Sequence, residues 1–138
     1  MQITRIDHVG IAVADLDAAI EHYTSAYGMT CVHQEVNEEQ GVREAMMAVG
    51  DSGSYLQLLS PLNPDTTIGR FLDKSGPGIQ QMAYRVDDLD EVSEHLRSQG
   101  MRLLYDVPKR GTAGSRVNFV HPKSAGGVLV ELVEPAPL

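Results

Sequence analysis

The stretch IDHVGIAVADLD, residues 6–17, decides the fold, because it returns as IQQMAYRVDDLD at residues 79–90. Both copies end in Asp-Leu-Asp, and Asp17 of the first copy aligns with Asp90 of the second, an offset of 73 residues. That offset is about half of the 138 residues, so the chain carries two copies of one supersecondary unit. In each copy an alternating, strand-like run leads into a helical pattern.

The alternation in residues 3–14 predicts a strand with two different faces. One face carries Val9 and other β-branched residues and is expected to pack on a helix. The opposite face carries His8 among small residues, as expected for the wall of a cavity. Asp15 is a suitable helix N-cap and Gly28 a suitable helix end, so a helix is predicted between them.

The whole pattern predicts an α+β protein made of two βαβββ modules, which form one concave mixed sheet if they pair about a pseudo-twofold axis. We expect a single domain made of a first module at 1–60, a connector at 61–78 with one helical turn around 68–72, and a second module at 79–138. Further strands are predicted at 29–36, 42–49 and 54–59 in the first module and at 79–86, 101–105, 116–121 and 128–133 in the second, with a basic loop at 109–115.

Composition excludes several classes of partner. A net charge of −8 and a pI of about 4.9 argue against nucleic acid and against an anionic membrane surface. Cys31 is the only cysteine, which rules out an intrachain disulfide and favours a reducing compartment. No apolar run is long enough to span a bilayer, and the first ten residues lack a signal pattern. We therefore expect a cytoplasmic protein.

Polar side chains stand at matched positions of the two modules, on strands that are otherwise apolar. The first module offers His8 and Gln57, and the second offers Gln81 and Glu131. If the modules pair about a pseudo-twofold axis, these four side chains converge. Imidazole, two carboxamides and a carboxylate could then hold a divalent metal such as Co, Mn, Ni or Zn. Glu131 lies inside the apolar run VLVELV, so it must be paired, bound to a metal, or protonated.

Glu44 is a second carboxylate predicted on the cavity side of its strand, and two carboxylates lining one cavity suit proton transfer at a carbon acid. Structural interpretations compete with this one. An inward-facing strand histidine is more often structural than a ligand, Gln57 could bond a neighbouring strand, and either glutamate could be half exposed. We assign the EVNEEQ run at 35–40 to a solvated turn, and the remaining histidines to the surface or to loop ends, namely His22, His33, His95 and His121.

The repeat and these positions resemble the vicinal oxygen chelate superfamily (glyoxalase, bleomycin resistance protein and dioxygenase), whose paired βαβββ modules form a metal-bearing cleft. Within it, residues 6–134 are similar to the methylmalonyl-CoA epimerase family. The first repeat is generic to the superfamily. The more particular segments are NEEQGVREAMM at 37–47 and PKRGTAGSRVNFVHPKSAGGVLVELVEP at 108–135.

This resemblance implies metal ligands at His8, Gln57 and Glu131, with a histidine as the fourth. The chain departs from the family there, since the usual His-His reads Gln80-Gln81. Gln81 can still ligate through its amide oxygen, but a neutral oxygen is a weaker donor than imidazole for the later first-row metals. The site should therefore bind metal less tightly, prefer harder ions, or have left the ancestral chemistry.

The resemblance also implies an isomerase that interconverts (2R)- and (2S)-methylmalonyl-CoA in propionate metabolism, with a homodimer as the assembly. Glu44 and Glu131 correspond to the two bases that flank C2, one removing the proton and the other returning one on the opposite face. Charge alone suggests that the CoA phosphates bind four basic residues, namely Lys109, Arg110, Arg116 and Lys123. The alternative interpretation is that these residues lie in solvated loops and bind nothing.

Two other functions remain as alternatives to the epimerase. The first is another metal enzyme of this fold, such as a glyoxalase-type isomerase or an extradiol dioxygenase. The dioxygenase is disfavoured, because it needs two histidines and a carboxylate and only His8 is suitably placed. The second rival is a protein that binds a small ligand without turning it over, and Gln81 keeps that interpretation open.

Overall fold

The computed structural model describes residues 3–138 and divides them between two compact units. The first unit is His8–Gln80, and the second unit combines Gln81–Leu138 with residues 3–7. This division differs from the predicted modules at both boundaries, because the predicted connector groups with the first unit and the start of the first strand groups with the second. None of the helices within residues 3–138 is long and apolar enough to cross a bilayer.

The two units repeat one topology. In the first, strands lie in the order β2-β3-β4-β1, and in the second the order is β6-β7-β8-β5, with β1/β4 and β5/β8 parallel and the other pairs antiparallel. The predicted α+β class and the βαβββ repeat are confirmed. The elements are β1 (Ile3–Ala12), α1 (Leu16–Tyr27), β2 (Thr30–Asn37), β3 (Val42–Val49), β4 (Ser54–Pro61), α2 (Thr67–Ser75), β5 (Gly78–Val86), α3 (Leu89–Ser98), β6 (Lys109–Arg110), β7 (Arg116–Val120) and β8 (Val130–Glu134).

The repeated Asp-Leu-Asp starts a helix in each unit by the same contacts. The side chain of Asp15 accepts the backbone N–H of Ala18 at 3.0 Å, and that of Asp88 accepts the backbone N–H of Glu91 at 3.1 Å. The leucines that follow, Leu16 and Leu89, are 2% and 0% exposed. Each motif therefore caps a helix and anchors its first turn in the core.

One face of each group of strands carries the core and packs on a helix. In the first unit α1 covers a cluster built on Val13, Leu16, Ala45, Met47 and Leu58. In the second unit α3 covers the equivalent cluster of Val86, Leu89, Val92, Val120, Val130 and Leu132. Because side chains alternate along a strand, the opposite face of each unit is left for other contacts, and this is where the predicted site residues lie.

The connector contains a full helix, so the prediction of a single helical turn was wrong. Helix α2 runs over nine residues, Thr67–Ser75, and begins where the Thr66 side chain accepts the backbone N–H of Gly69 at 3.0 Å. Ile68 is 4% exposed and packs with Ala12, Val42 and Leu59 on the face opposite α1. The proline and glycine content of the connector concealed this cap and its apolar anchor.

The strand predicted at 101–105 is absent, and only an isolated bridge joins Leu103 to Val120. The side chain of Asn118, fully buried, takes the place of a strand partner: Nδ2 donates to the Tyr105 carbonyl at 2.9 Å, and Oδ1 accepts the Tyr105 N–H at 3.1 Å. The second strand of the second module is instead β6, in the segment predicted as a basic loop. The last strand begins at 130 rather than 128.

Candidate active site

In the first unit, three predicted site residues lie on the face opposite α1, which we call the polar face of the first unit. His8, Glu44 and Gln57 are 3%, 3% and 4% exposed. Register places them together, since Gln57 pairs with Met46 of β3 and with Gly10 of β1. Burial of three polar side chains on one face requires partners for each of them.

Gln57 and Glu44 are bonded to one another. Nε2 of Gln57 donates to Oε2 of Glu44 at 3.1 Å, across the β3–β4 pair. The carboxamide oxygen of Gln57 takes no part in this bond, and it is the atom through which an amide would ligate a metal. The same contact holds the Glu44 carboxylate in a fixed position, as a general base requires.

In the second unit, the other two predicted ligands are also bonded to one another. Nε2 of Gln81 donates to Oε1 of Glu131 at 2.7 Å, and the two residues are 6% and 7% exposed. Strands β5 and β8 are parallel, with Ala83 opposite Glu131. The carboxylate that the sequence placed in an apolar run is thus buried and paired, as expected for such a position.

Each unit offers buried donors of the kind that divalent cations accept, namely His8 and Gln57 in the first unit and Gln81 and Glu131 in the second. Their chemistry is one imidazole, two carboxamides and one carboxylate, all buried, and both carboxamides direct their nitrogen to a carboxylate. Within residues 3–138 no group of three or more histidine, cysteine or acidic side chains is arranged to hold a metal. A divalent ion at either pair of donors would therefore need an amide oxygen as a ligand, and amide oxygens suit harder ions better than softer ones.

Sequence reasoning missed two residues on the polar face of the first unit. Glu35 of β2 pairs in register with Glu44 of β3, and His33 shares a 2.7 Å hydrogen bond between Nε2 and Oε1 of Glu35. The side chain of Glu35 is only 13% exposed, so its assignment to a solvated turn was wrong. The i, i+2 spacing of His33 and Glu35, opposite the predicted strand that carries Glu44, was the available signal.

The four basic residues proposed for CoA phosphates have different surroundings. Arg116 donates to Glu134 at 3.0 Å and to Asp90 at 3.0 Å, and these hydrogen bonds, Glu134 first, raise its pKa above the ordinary value. Arg116 therefore already has two carboxylate partners. Lys109 instead lies with Nζ 4.5 Å from the centroid of the Tyr105 ring. Arg110 and Lys123 are exposed.

Tyr105 connects Lys109 to the face that carries Glu131. Its ring meets that of Phe119 edge-on with 6.0 Å between the centroids, and Phe119 lies directly opposite Glu131 in the β7–β8 pair. Arg116 follows the alternation of β7 to the other face, where it reaches Asp90 of α3. Lys109 is thus the better placed of the two cations for a ligand that approaches Glu131.

Comparison with known proteins gives the family. Residues 7–119 match the profile of the glyoxalase/bleomycin resistance protein/dioxygenase superfamily. The chain is 35% identical over 132 residues to the ethylmalonyl-CoA/methylmalonyl-CoA epimerase of Cereibacter sphaeroides, covering 94% of this chain and 97% of that one.

Solved structures agree in fold and family. The crystal structure of methylmalonyl-CoA epimerase from Mycobacterium tuberculosis is 61% identical, with a TM-score of 0.95 over 98% of this chain and 90% of that chain. A variant of the Streptomyces coelicolor methylmalonyl-CoA epimerase in complex with 2-nitronate-propionyl-CoA is 48% identical, with a TM-score of 0.95 over 99% of this chain and 100% of that one. The chain therefore belongs to the methylmalonyl-CoA epimerase family of the glyoxalase/bleomycin resistance protein/dioxygenase superfamily.

Proposed function

We propose that this chain interconverts the two C2 epimers of methylmalonyl-CoA. The observation that carries the proposal is the near full-length similarity to methylmalonyl-CoA epimerases, at 61% identity for one solved structure. The two buried carboxylates, Glu44 and Glu131, support it, because inversion at a carbon acid needs one group to remove a proton and a second to return one.

Glu44 is the residue that we propose as the free base. Its carboxylate takes the C2 proton of one epimer, and the C–H electron pair becomes the enolate. Glu131, protonated at the start of the step, gives its O–H proton to the opposite face of C2 and becomes a carboxylate. In the reverse direction the roles exchange. Gln57 supports this assignment, since its N–H holds Glu44 in place without neutralising it.

For the metal we propose a divalent cation, Co, Mn, Ni or Zn, held by His8, Gln57, Gln81 and Glu131. A divalent cation held there supplies Lewis acidity towards the negative charge that develops when C2 loses its proton. The buried amide–carboxylate pairs support this set, because each amide bonds its carboxylate partner through nitrogen and its oxygen takes no part in that bond. Lys109 is proposed to bind a CoA phosphate, and the same role is proposed for Arg110 and Lys123. A homodimer and a cytoplasmic location also stay predictions.

Deuterium exchange tests the function directly. The protein is incubated with methylmalonyl-CoA in D2O, with and without each added metal, and deuterium at C2 and the ratio of epimers are followed together. We expect rapid incorporation coupled to epimerisation, and its loss with a chelator. Binding of the substrate without incorporation under any metal would favour the ligand-binding alternative instead.

Ethylmalonyl-CoA should be assayed in parallel. One relative with 35% identity is an ethylmalonyl-CoA/methylmalonyl-CoA epimerase, and the second substrate is larger by a single methylene. Burial of one methylene changes binding by about 0.8 kcal/mol, too little to exclude it strongly. We expect turnover of both thioesters, with the same dependence on Glu44.

A further inference from the structure

Three side chains form a row from the surface to the proposed base. Glu35 lies directly opposite Glu44 in the antiparallel β2–β3 pair, so both carboxylates are on the polar face of the first unit. His33 lies opposite Met46 on that face and shares a 2.7 Å hydrogen bond with Glu35. Directly opposed residues have Cβ atoms about 4.5–5.5 Å apart, so the two carboxyl groups can meet directly or through one water.

Exposure falls steadily along this row. The side chain of His33 is 40% exposed and that of Glu35 is 13% exposed, whereas Glu44 as a residue is only 3% exposed. A buried base that collects a proton from its substrate must pass that proton on before it is ready again. The row leads from that base to an imidazole in contact with solvent, and imidazole both accepts and donates protons near neutral pH.

An irregularity in the register of β2 places His33 on the same face as Glu35 and Glu44. The β2–β3 register shifts between Cys31 and His33, so that Cys31 packs with the core under α1 and His33 is turned to the opposite face. Bulges often re-aim a side chain beside an active site. Two carboxylates placed directly opposite one another are unfavourable without a compensating partner, and the His33 ring nitrogen shares a hydrogen bond with Glu35.

We infer that His33 and Glu35 form a relay that exchanges the proton of Glu44 with solvent. The inference rests on the proposed function. The O–H bond of protonated Glu44 breaks as a new O–H bond forms on Glu35. Glu35 then gives the proton to a ring nitrogen of His33, and the imidazolium releases it to water. No oxidant, metal or co-reactant is needed, and neither relay residue has to touch the substrate.

The test separates proton exchange from epimerisation. Each epimer of methylmalonyl-CoA is started separately in D2O with the holoenzyme, and two initial rates are measured: conversion to the other epimer, and deuterium entering the epimer that has not yet converted. The second rate reports how fast the abstracted proton is lost before it returns. His33→Gln keeps a hydrogen-bond partner for Glu35 but cannot shuttle a proton, and Glu35→Gln interrupts the row beside Glu44.

We expect the ratio of exchange to epimerisation to fall several-fold in both variants for the epimer that Glu44 serves, and to stay unchanged for the other. KM should stay at the wild-type value, and added imidazole should restore the ratio in His33→Ala. His22→Gln, at an exposed position of α1, is the matched control and should behave as wild type. An unchanged ratio in folded, active His33 and Glu35 variants overturns the relay, whereas absence of epimerisation in the wild type overturns the proposed function.

Discussion

Gln81 donates from Nε2 to Oε1 of Glu131 over 2.7 Å, so the residue that replaces an expected histidine is bonded to the carboxylate proposed as both ligand and base. An imidazole in its place could bind a metal through nitrogen, whereas the carboxamide offers only its oxygen. The contact therefore orients Gln81 for that weaker role and links the choice of metal to the position of Glu131.

Gln81→His should tighten the binding of Co, Ni and Zn by about tenfold, equivalent to about 1.4 kcal/mol, and leave Mn less affected. Imidazole is the better ligand for the later ions, while Mn accepts oxygen donors readily. Calorimetric titration of the metal-free protein measures the change for each ion. Gln80→His is the control, because adjacent strand residues face opposite sides. Equal affinities in both variants would remove Gln81 from the metal set.

Glu44→Gln should lower kcat by about 10²–10⁴-fold while the fold and the metal affinity stay close to wild type. The replacement keeps the shape of the side chain and can still bond Gln57, so only the basicity is lost. Circular dichroism and a steady-state assay with each epimer measure the two effects. Glu39→Gln makes the same chemical change at an exposed turn position and should be silent. Near wild-type turnover in Glu44→Gln would exclude the two-base scheme.

Lys109→Ala should raise KM for methylmalonyl-CoA several-fold and reduce its dependence on salt, whereas Arg116→Ala should leave KM unchanged. Lys109 is partnered by the Tyr105 ring on the side of Phe119 and Glu131, while Arg116 is held by Asp90 and Glu134. Loss of the exposed Arg116 pairs should cost at most about 1 kcal/mol of folding free energy. Measurement of KM for both variants at two ionic strengths tests this difference. A larger rise in KM for Arg116→Ala than for Lys109→Ala would show that Arg116, and not Lys109, binds the CoA phosphate.

The repeat was the strongest signal in the sequence, and the structure shows why. Asp15 and Asp88 cap equivalent helices, Leu16 and Leu89 anchor them, and both contacts are local, so they are readable from the chain alone. The buried state of Glu131 was also readable, because a charged residue in an apolar run has few alternatives.

Contacts between distant residues account for what was missed. Helix α2 is stabilised by Ile68 packing on Val42 and Leu59, which a connector rich in proline and glycine does not reveal. Glu35 looked solvated because its neighbours 38 and 39 are exposed turn residues, and only its register opposite Glu44 places it on the polar face. Such pairings depend on strand register, which hydrophobic pattern alone does not determine for a strand with polar residues on both faces.

Ile68→Ala should lower the free energy of unfolding by about 2–5 kcal/mol, as for other buried aliphatic residues cut back to alanine. Its side chain is the buried apolar anchor of α2 against Val42 and Leu59. Urea denaturation measures the loss. Leu62→Ala, at a residue that is 42% exposed just before α2, should cost far less. Equal losses at the two positions would show that α2 is not held by this cluster.

Asn118→Ala should destabilise the protein by about 2–4 kcal/mol, because it removes partners from backbone groups that stay in a partly buried segment. Asn118 is fully buried and bonds both the N–H and the carbonyl of Tyr105, while its Oδ1 also accepts the N–H of Phe119 at 2.8 Å. Thermal and urea unfolding measure the loss. Because the segment also carries the Tyr105 ring under Lys109, KM for the CoA substrate should rise in the same variant.

Asn118→Asp separates the hydrogen bonds that the Asn118 side chain accepts from the one that it donates. A carboxylate still accepts the N–H groups of Tyr105 and Phe119 but cannot donate to the Tyr105 carbonyl, so its stability should lie between wild type and Asn118→Ala. Asn63→Ala is the control, since Asn63 is exposed and its side chain accepts a local N–H from Asp65. If Asn118→Ala were no less stable than Asn63→Ala, the side chain could not be what replaces a strand beside β7.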